Sequence, residues 1–568
     1  MPTLNFKGKT FVQNHHLAVK YHQLVPKKDL SLTDKVSLHD NLIIQGDNLK
    51  ALKALLPTYS GKIKCIYIDP PYNTGNENWV YNDNVNSPML KEWLGKVVDK
   101  EDMTRHDKWL CLMMPRLKLL RELLSEDGVI FISCDDNELF NMKVLLDEIF
   151  DENNWVGTII WRNVTDNNPT NIAIEHEYII CYSKNKIELE PIWKSKVSDA
   201  KQALIEIGNK LIAEFGEQEE LQQAYTNWFR ENKVYLGQLD RYKYIDKDGV
   251  YTGSQSVHNP GREGYRYDVI HPITKKPCKQ PLMGYRFPET TMKELLVNKK
   301  ILFGEDETKI IELKVYAKDY EDKLPSVIQL DGRLGSYDLK EIFPENKKSF
   351  DNPKPVQLLK QIFSYLISSN DIILDSFAGS GTTAHAVLEL NKEDGGNRKF
   401  ILVEQEDYAN TITAERVRRV IKGVKSAKND PDKNREKKGT AGTFSYFQLG
   451  ASIEMESILT GKSLPGYEEL ARYIFYTATG QEFNEKKINR KINFIGETDN
   501  YELYMHYEPN IDWLKQHALT LDGVRNFPKY TGKQRLVFAP AKYVDDFTLL
   551  EHRIDFCQLP YEIYKIQK

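Results

Sequence analysis

Two stretches of this chain carry the same alternation of short apolar runs and amphipathic segments, and a long region lacking it separates them. In the first, Leu42-Ile43-Ile44 precedes Leu49, Leu52, Leu55 and Leu56 at helical spacing, and the run Ile63 to Ile68 follows. A Leu-rich helix near Trp109 to Leu124, the run Val129 to Ile132 and a helix carrying Leu139, Met142, Leu145, Leu146 and Ile149 continue it. In the second, the run Ile372 to Leu374, a helix from Thr382 to Leu390, the run Phe400 to Val403 and a helix through Arg419 come in order. Strands joined through helices pair in parallel and are covered on both faces. The expectation is one α/β domain with a doubly wound, mostly parallel sheet, split by an insertion.

The boundaries follow from where that pattern starts and stops. Residues 1–40 read as an amino-terminal segment, 41–184 and 349–421 as the two halves of the α/β domain, and 185–348 as an α+β insertion. Residues 422–440 read as a Lys-rich linker and 441–568 as a carboxyl-terminal α+β region of unassigned role. At 568 residues the chain exceeds one ordinary core, so three or more units are expected. Its 40% hydrophobic and 28% charged content is that of a soluble globular protein. A net charge of -4 means that any contact with a polyanion must rest on local patches. The six cysteines form no Cys-x-x-Cys pair and mostly lie in apolar runs, the usage of a reducing, cytoplasmic compartment. The start, Met1 to Lys9, has no apolar core of a signal peptide, and no run approaches the roughly 18 apolar residues of a membrane span.

Each α/β half contains a polar turn with chemical potential. Ile66-Tyr67-Ile68 stops at Asp69-Pro70-Pro71-Tyr72. Such a turn can hold the exocyclic amine of a base between the Asp69 carboxylate and the Pro70 carbonyl while Tyr72 stacks on the ring. Adenine's amine is a poor nucleophile because its lone pair is delocalised, and holding both N–H groups favours a pyramidal nitrogen. The rigid Pro70-Pro71 backbone limits the freedom lost on ordering. The bland alternative is a mere turn after a strand. The second turn, Asp375-Ser376-Phe377-Ala378-Gly379-Ser380-Gly381-Thr382-Thr383, has the glycines of a nucleoside-cofactor loop, with Glu404 ending the next apolar run as a ribose acceptor. Taken alone it also fits a nicotinamide-dependent oxidoreductase. A dehydrogenase, however, has no use for the first turn.

These residues resemble the DNA amino-methyltransferases in which the catalytic motif precedes the cofactor motif, and look most like modification subunits of type III restriction-modification systems. The similarity runs through Leu42 to Asp47, Ile66 to Gly75, Gly128 to Ser133 and Trp161 to Lys184, the last with Thr165 to Pro169 and His176-Glu177-Tyr178. It continues through Asp240 to Asp246, Pro281 to Phe287 and Asn352-Pro353-Lys354-Pro355 to Glu404. The resemblance implies a Rossmann-like methyltransferase fold with circularly permuted motif order, S-adenosyl-L-methionine as cofactor and adenine N6 in duplex DNA as target. It also implies a homodimer and a restriction-helicase partner subunit. Asp69, Pro70, Pro71 and Tyr72 would hold the target. Asp375, Phe377, Gly379, Gly381, Thr382, Thr383 and Glu404 would line the cofactor site, with the segment around Lys354 closing it and Asp47 approaching the adenosine. Asp rather than Ser before Pro-Pro favours adenine N6 over cytosine N4.

A stacked base cannot reach such a site, so it must be flipped out or unpaired. Between Arg241 and Lys300 basic and aromatic residues interleave, with Arg241, Lys243, Arg266 and Arg286 as candidate DNA contacts. The alternative is ordinary strand surface. A further alternative for the whole chain is a DNA-recognition subunit that guides a nuclease, with methylation secondary. Pro277-Cys278 follows a Lys-rich turn rather than a strand, and His176-Glu177 lacks the second zinc-binding histidine, so both are discounted. Neither Gly8-Lys9-Thr10 nor Gly461-Lys462-Ser463 has the upstream glycine of a phosphate-binding loop.

Overall fold

The computed structural model describes residues 3–74, 105–164, 171–195, 199–233, 236, 239–259, 261–320, 322–345, 350–424, 437–453, 464–481 and 483–559. The expected polar insertion after Gly75, the Thr165 to Pro169 stretch, and Lys425, Lys428, Lys433 and Arg435 of the basic linker lie outside them. Two compact units emerge: Met1–Pro191, Pro325–Phe363 and Ile367–Lys568 form one, and Ile192–Leu324 with Ser364–Leu366 the other. No helix among the described residues is long and apolar enough to cross a membrane.

The first unit is built on a ten-stranded sheet. Its strands are β1 (His22–Pro26), β2 (Leu42–Gln45), β3 (Ile63–Ile68), β4 (Leu124–Cys134), β5 (Trp155–Arg162), β6 (His176–Ser183), β7 (Val327–Gln329), β8 (Ile372–Asp375), β9 (Lys399–Glu404) and β10 (Ser445–Ser452). The spatial order is β1-β10-β2-β9-β8-β3-β4-β6-β5-β7. Neighbours from β10 through β4 pair in parallel, whereas β1 and β6 run against their neighbours. β3 and β8 sit at the centre with their apolar side chains buried, Ile372 at the start of β8 only partly, as continuous apolar runs in a sheet covered on both faces should be. Each such Ile or Leu contributes about 1.5–3 kcal/mol of transfer free energy.

The covering helices are α1 (Asn48–Tyr59), α2 (Arg105–Leu123), α3 (Leu139–Phe150), α4 (Leu334–Ile342), α5 (Val356–Ser364), α6 (Thr382–Asp394) and α7 (Glu415–Lys422). α1 starts where it does because the Asp47 carboxylate accepts the Lys50 N–H at 3.1 Å, capping it. Its leucines at positions 49, 52, 55 and 56 form the buried stripe. The sheet departs from the expected split at its edges, since β1, β7 and β10 come from outside the two halves. The expected insertion 185–348 is correspondingly too long at its end, because β7 pairs with β5 and returns the chain to the first unit at Pro325.

The region after Tyr467 has its own sheet, Phe494–Glu497, Tyr501–Met505, Gln534–Ala539 and Ile554–Gln558. It is not a third unit, because Tyr467, Leu470 and Ile474 of the helix Tyr467–Thr479 join the main hydrophobic core together with Leu503 and Phe538. All six cysteines are buried and free.

The second unit pairs two helices, Asp199–Glu214 and Gln218–Asn232, with a four-stranded antiparallel sheet of Ile301–Leu302, Glu312–Tyr316, Gly249–Ser256 and Tyr244–Asp246. Its basic and aromatic interleaving resolves into two populations. Tyr242 and Tyr285 are fully buried, whereas Arg241, Lys243, Arg266 and Arg286 are exposed. Arg286 lies 4.6 Å from the centre of the Phe287 ring, and Arg266 donates to the Leu282 carbonyl at 2.9 Å.

Candidate active site

Strand register brings the two polar turns together. Leu374 pairs with Ile66 across β8 and β3, and Phe377 and Asp69 each follow three residues later, at the same carboxyl edge. From β3 the chain proceeds outward to β4 on one side, and from β8 to β9 on the other. That makes the β3–β8 boundary the switch point at which open α/β sheets leave a crevice. A cavity of about 570 Å³ lies there. Its wall includes Asp69, Pro70, Pro71, Tyr72, Lys354, Asp375, Phe377, Gly379, Thr382 and Thr383. Three expected cofactor residues, Asp47, Gly381 and Glu404, do not reach the wall.

Each turn is held from outside. Trp109, buried in α2, donates its indole N–H to the Pro71 carbonyl at 2.7 Å. Asn73, at φ 56°, donates its amide to the Glu138 carboxylate, which also contacts His106 Nδ1 at 2.7 Å. In the glycine turn, Asp375 accepts the Phe377 N–H at 3.0 Å and the Thr383 hydroxyl at 2.6 Å. Glu404 accepts the N–H groups of Gly379, Gln405 and Glu406 at 2.7, 2.8 and 3.0 Å, bracing the turn from below. Gly379 and Gly381 have φ of 51° and 83°, the left-handed region glycine enters most readily. Burial pushes both the Asp375 and the Glu404 carboxyls up to about 7.

Supports the motif reading missed lie on the far side of that turn. Thr413, within the π-helical segment Ala409–Ala414, donates its hydroxyl to the Gly379 carbonyl at 2.5 Å. Arg416, fully buried in α7, donates to the hydroxyls of Ser380 and Thr382 at 2.8 and 2.9 Å. Burial lowers its guanidinium to about 10, and the two hydroxyls offset part of that desolvation. A π-segment beside a ligand loop is a recurrent device, but single-sequence periodicity does not signal it.

The segment around Lys354, expected to close the cofactor site, walls the same cavity from Phe350 to Lys354, and Lys354 itself reaches the Asp69 turn. Its Nζ lies 3.0 Å from Asp69 Oδ1 and 3.3 Å from Glu177 Oε2, and it donates to the Tyr72 hydroxyl at 2.9 Å. Tyr72 in turn donates to Glu177 Oε2 at 2.8 Å, and Asn163 donates to Glu177 Oε1 at 2.7 Å. Burial alone would pull the Lys354 ammonium down, but the Asp69 and Glu177 carboxylates outweigh it and raise it. Burial pushes the Asp69 carboxyl up against the pull of Lys354. The Tyr72 phenol, buried beside two carboxylates, rises well above its ordinary value and stays protonated. Glu177 thus belongs to the site from β6, a strand the motifs did not assign to it. The segment bearing Lys354 runs against Gly335 of α4, where a Cβ would lie 1.8 Å from the Pro353 carbonyl oxygen.

Comparison with known proteins follows the same residues. Positions 63–415 match a family model described as DNA methylase. The type III restriction-modification enzyme EcoP15I Mod subunit of Escherichia coli is 50% identical over 416 residues, 71% of this chain and 64% of that protein. The StyLTI Mod subunit of Salmonella typhimurium is 32% identical over 72% of this chain and 59% of its own length. The EcoPI Mod subunit of Escherichia phage P1 is 30% identical over 72% and 64%. The chain therefore spans somewhat less than two thirds of these relatives.

Proposed function

This chain belongs to the DNA methylase family, and from that premise we propose that it methylates the N6 amine of adenine in duplex DNA after base flipping, with S-adenosylmethionine as donor. The observation that carries this reading is the meeting of the Asp69 to Tyr72 and Phe377 to Thr383 turns in one cavity. Bound there, S-adenosylmethionine supplies an electrophilic sulfonium methyl group. The residues present fit such a ligand: the left-handed glycines permit close backbone approach, and Asp375 on the cavity wall supplies an acceptor for hydroxyl or ammonium donors. Asp375, Phe377, Gly379, Gly381, Thr382 and Thr383 are assigned to the cofactor. Glu404, which does not reach the wall, is assigned to the support of the turn that holds the cofactor, through the Gly379 N–H. Asp47 is assigned a structural role, as cap of α1.

Asp69 and the Pro70 carbonyl accept the two N–H groups of the target amine, which directs its lone pair away from the ring. Tyr72 covers the base. The proton shed as nitrogen gains a substituent passes to the nearest acceptor, the Asp69 carboxylate, whose burial makes it a better base than a solvated aspartate. The test is tritiated S-adenosylmethionine with mixed-sequence duplex. Label recovered as N6-methyladenine supports the assignment, label in N4-methylcytosine replaces the target, and no DNA label defeats it. The relation to Mod subunits supports a role as modification and recognition subunit of a type III system, working as a homodimer beside a restriction-helicase subunit.

Two further expectations follow. Since burial raises Asp375 and Glu404 to about 7, each holds its proton below that pH and accepts donors poorly. Cofactor affinity should rise up to pH 7 and level off above it, with about a tenfold loss per unit below 7 for each carboxyl that must ionise. Calorimetry from pH 5.5 to 8.5 checks this, and a flat profile removes both carboxylates from the binding site. By the same linkage the ligand-free fold should lose stability as pH rises from the ordinary carboxyl range to 7, because the folded state holds protons the unfolded chain has released. On the second unit, Lys243→Ala and Arg266→Ala should each lower the salt dependence of duplex affinity by about one charge. An unchanged slope would remove that residue from the phosphate contacts.

A further inference from the structure

Lys354 stands where an incoming adenine would have to sit. Its Nζ is 3.0 Å from Asp69 Oδ1 and 4.9 Å from the centre of the Tyr72 ring. One ammonium therefore holds the oxygen that the proposed mechanism reserves for the base, and it grips the ring meant to cover that base by its hydroxyl edge. Its hold on Asp69 is a 3.0 Å ion pair whose hydrogen-bond alignment is poor. Toward Tyr72 the same ammonium makes an aligned bond, and Glu177 Oε2 lies 3.3 Å away.

We propose that Lys354 is a tethered stand-in for the target amine: it occupies the Asp69 subsite until the flipped base displaces it, and Glu177 is the seat to which its ammonium withdraws. This inference rests on reading the cavity as an adenine pocket. An ammonium and an exocyclic amine present the same chemistry to a carboxylate, N–H donors with no competing acceptor. A buried carboxylate left without compensation is unfavourable, so the subsite needs an occupant when no base is present. Glu177 makes the exchange isoelectric, because the Asp69–Lys354–Glu177 group carries the same charge before and after the lysine moves. The base brings what the lysine lacks, N–H bonds aligned on the Asp69 oxygen. The segment carrying Lys354 also has a joint: Asn352 adopts φ 47° directly before Pro353, where extended backbone is the norm. Lys354 and Glu177 are thus positioning residues that set how readily the base enters.

The test uses the full chain and a duplex containing its mapped methylation site, with 2-aminopurine beside the target adenine. Fluorescence of that probe rises when its stacked neighbour leaves the helix. Lys354→Met should shift the extrusion equilibrium about fivefold toward the flipped base, the effect of removing one contact of ordinary ion-pair strength. Glu177→Gln should shift it by a similar factor the other way, because the lysine loses its alternative seat. On the Lys354→Met background, Glu177→Gln should change nothing further, and Lys354→Arg should follow the wild type. A purely structural role would move both single variants in the same direction. Reduced or unchanged extrusion in Lys354→Met, or increased extrusion in Glu177→Gln, overturns the stand-in. If Lys354→Met does not fold, the sign of the Glu177→Gln shift decides alone. Absence of N6-methyladenine from the wild-type reaction is a different failure, that of the adenine reading itself.

Discussion

Asp69→Ala is expected to lower methyl transfer by a factor on the order of 10³ while leaving duplex binding largely intact. In the proposed mechanism the carboxylate acts at the reacting nitrogen, both as hydrogen-bond acceptor and as proton acceptor, so its loss falls on the chemical step. The duplex contacts proposed for this chain are assigned to other residues, Lys243 and Arg266 among them. Single-turnover transfer of tritiated methyl groups, beside filter binding of the same duplex, separates the two. A variant that binds and methylates normally would dismiss the Asp69 turn as a structural bend. A variant that loses binding and transfer together would make Asp69 a folding residue. Asp69→Asn should fall between, since it keeps an acceptor oxygen but gives up the basic one.

Gly335→Ala should have the second largest effect, against the usual trend. In a helix interior this exchange normally stabilises by about 0.4–1 kcal/mol. Here the new Cβ would meet the Pro353 oxygen at 1.8 Å and the Lys354 carbonyl carbon at 2.9 Å, and both are backbone atoms that cannot rotate away. The segment carrying Lys354 must move off α4. Overpacking of this kind costs about 1–3 kcal/mol, and a shift of about 1 Å in a positioning group can lower the rate on the order of 10²-fold. Thermal unfolding and kcat measured on the same preparation provide the check. A variant with wild-type melting and turnover would mean that α4 does not hold the Pro353–Lys354 segment.

The two turns were recognisable because each is a local pattern: an apolar run that stops at residues whose backbone and side chains suit one ligand chemistry. The strands Ile63–Ile68 and Ile372–Asp375 fall where those apolar runs lie. β4 begins at Leu124 rather than Val129 because Leu124 already pairs with Ile63, and the register shift before the Cys65–Val129 pair takes up the polar Ser125 to Gly128 segment. Lys354 was visible as part of Asn352 to Pro355 and Glu177 as part of His176-Glu177-Tyr178, but nothing local joined the two. The pairing Lys354–Glu177 depends on β6 running antiparallel beside β4, a non-local fact. Arg416 and Thr413 were hidden for the same reason: each acts on a turn more than thirty positions upstream. In the second unit, alternation in the sequence did not say which face of each strand is buried, so Tyr242 and Arg241 could be told apart only in the fold.

The chain's order of residues determined by itself that there would be a helix-covered, mostly parallel sheet, and that Asp69-Pro70-Pro71-Tyr72 and Phe377 to Thr383 would be its chemically equipped turns. Burial periodicity and turn chemistry act over a few residues, and they are written where they act. Tertiary structure alone decided that β3 and β8 are neighbours, that Lys354 stands between Asp69 and Glu177, and that Glu404 serves the backbone of the glycine turn. Those outcomes depend on which distant strands pair and in what register, and that is settled by the packing of the whole sheet rather than by any segment of it.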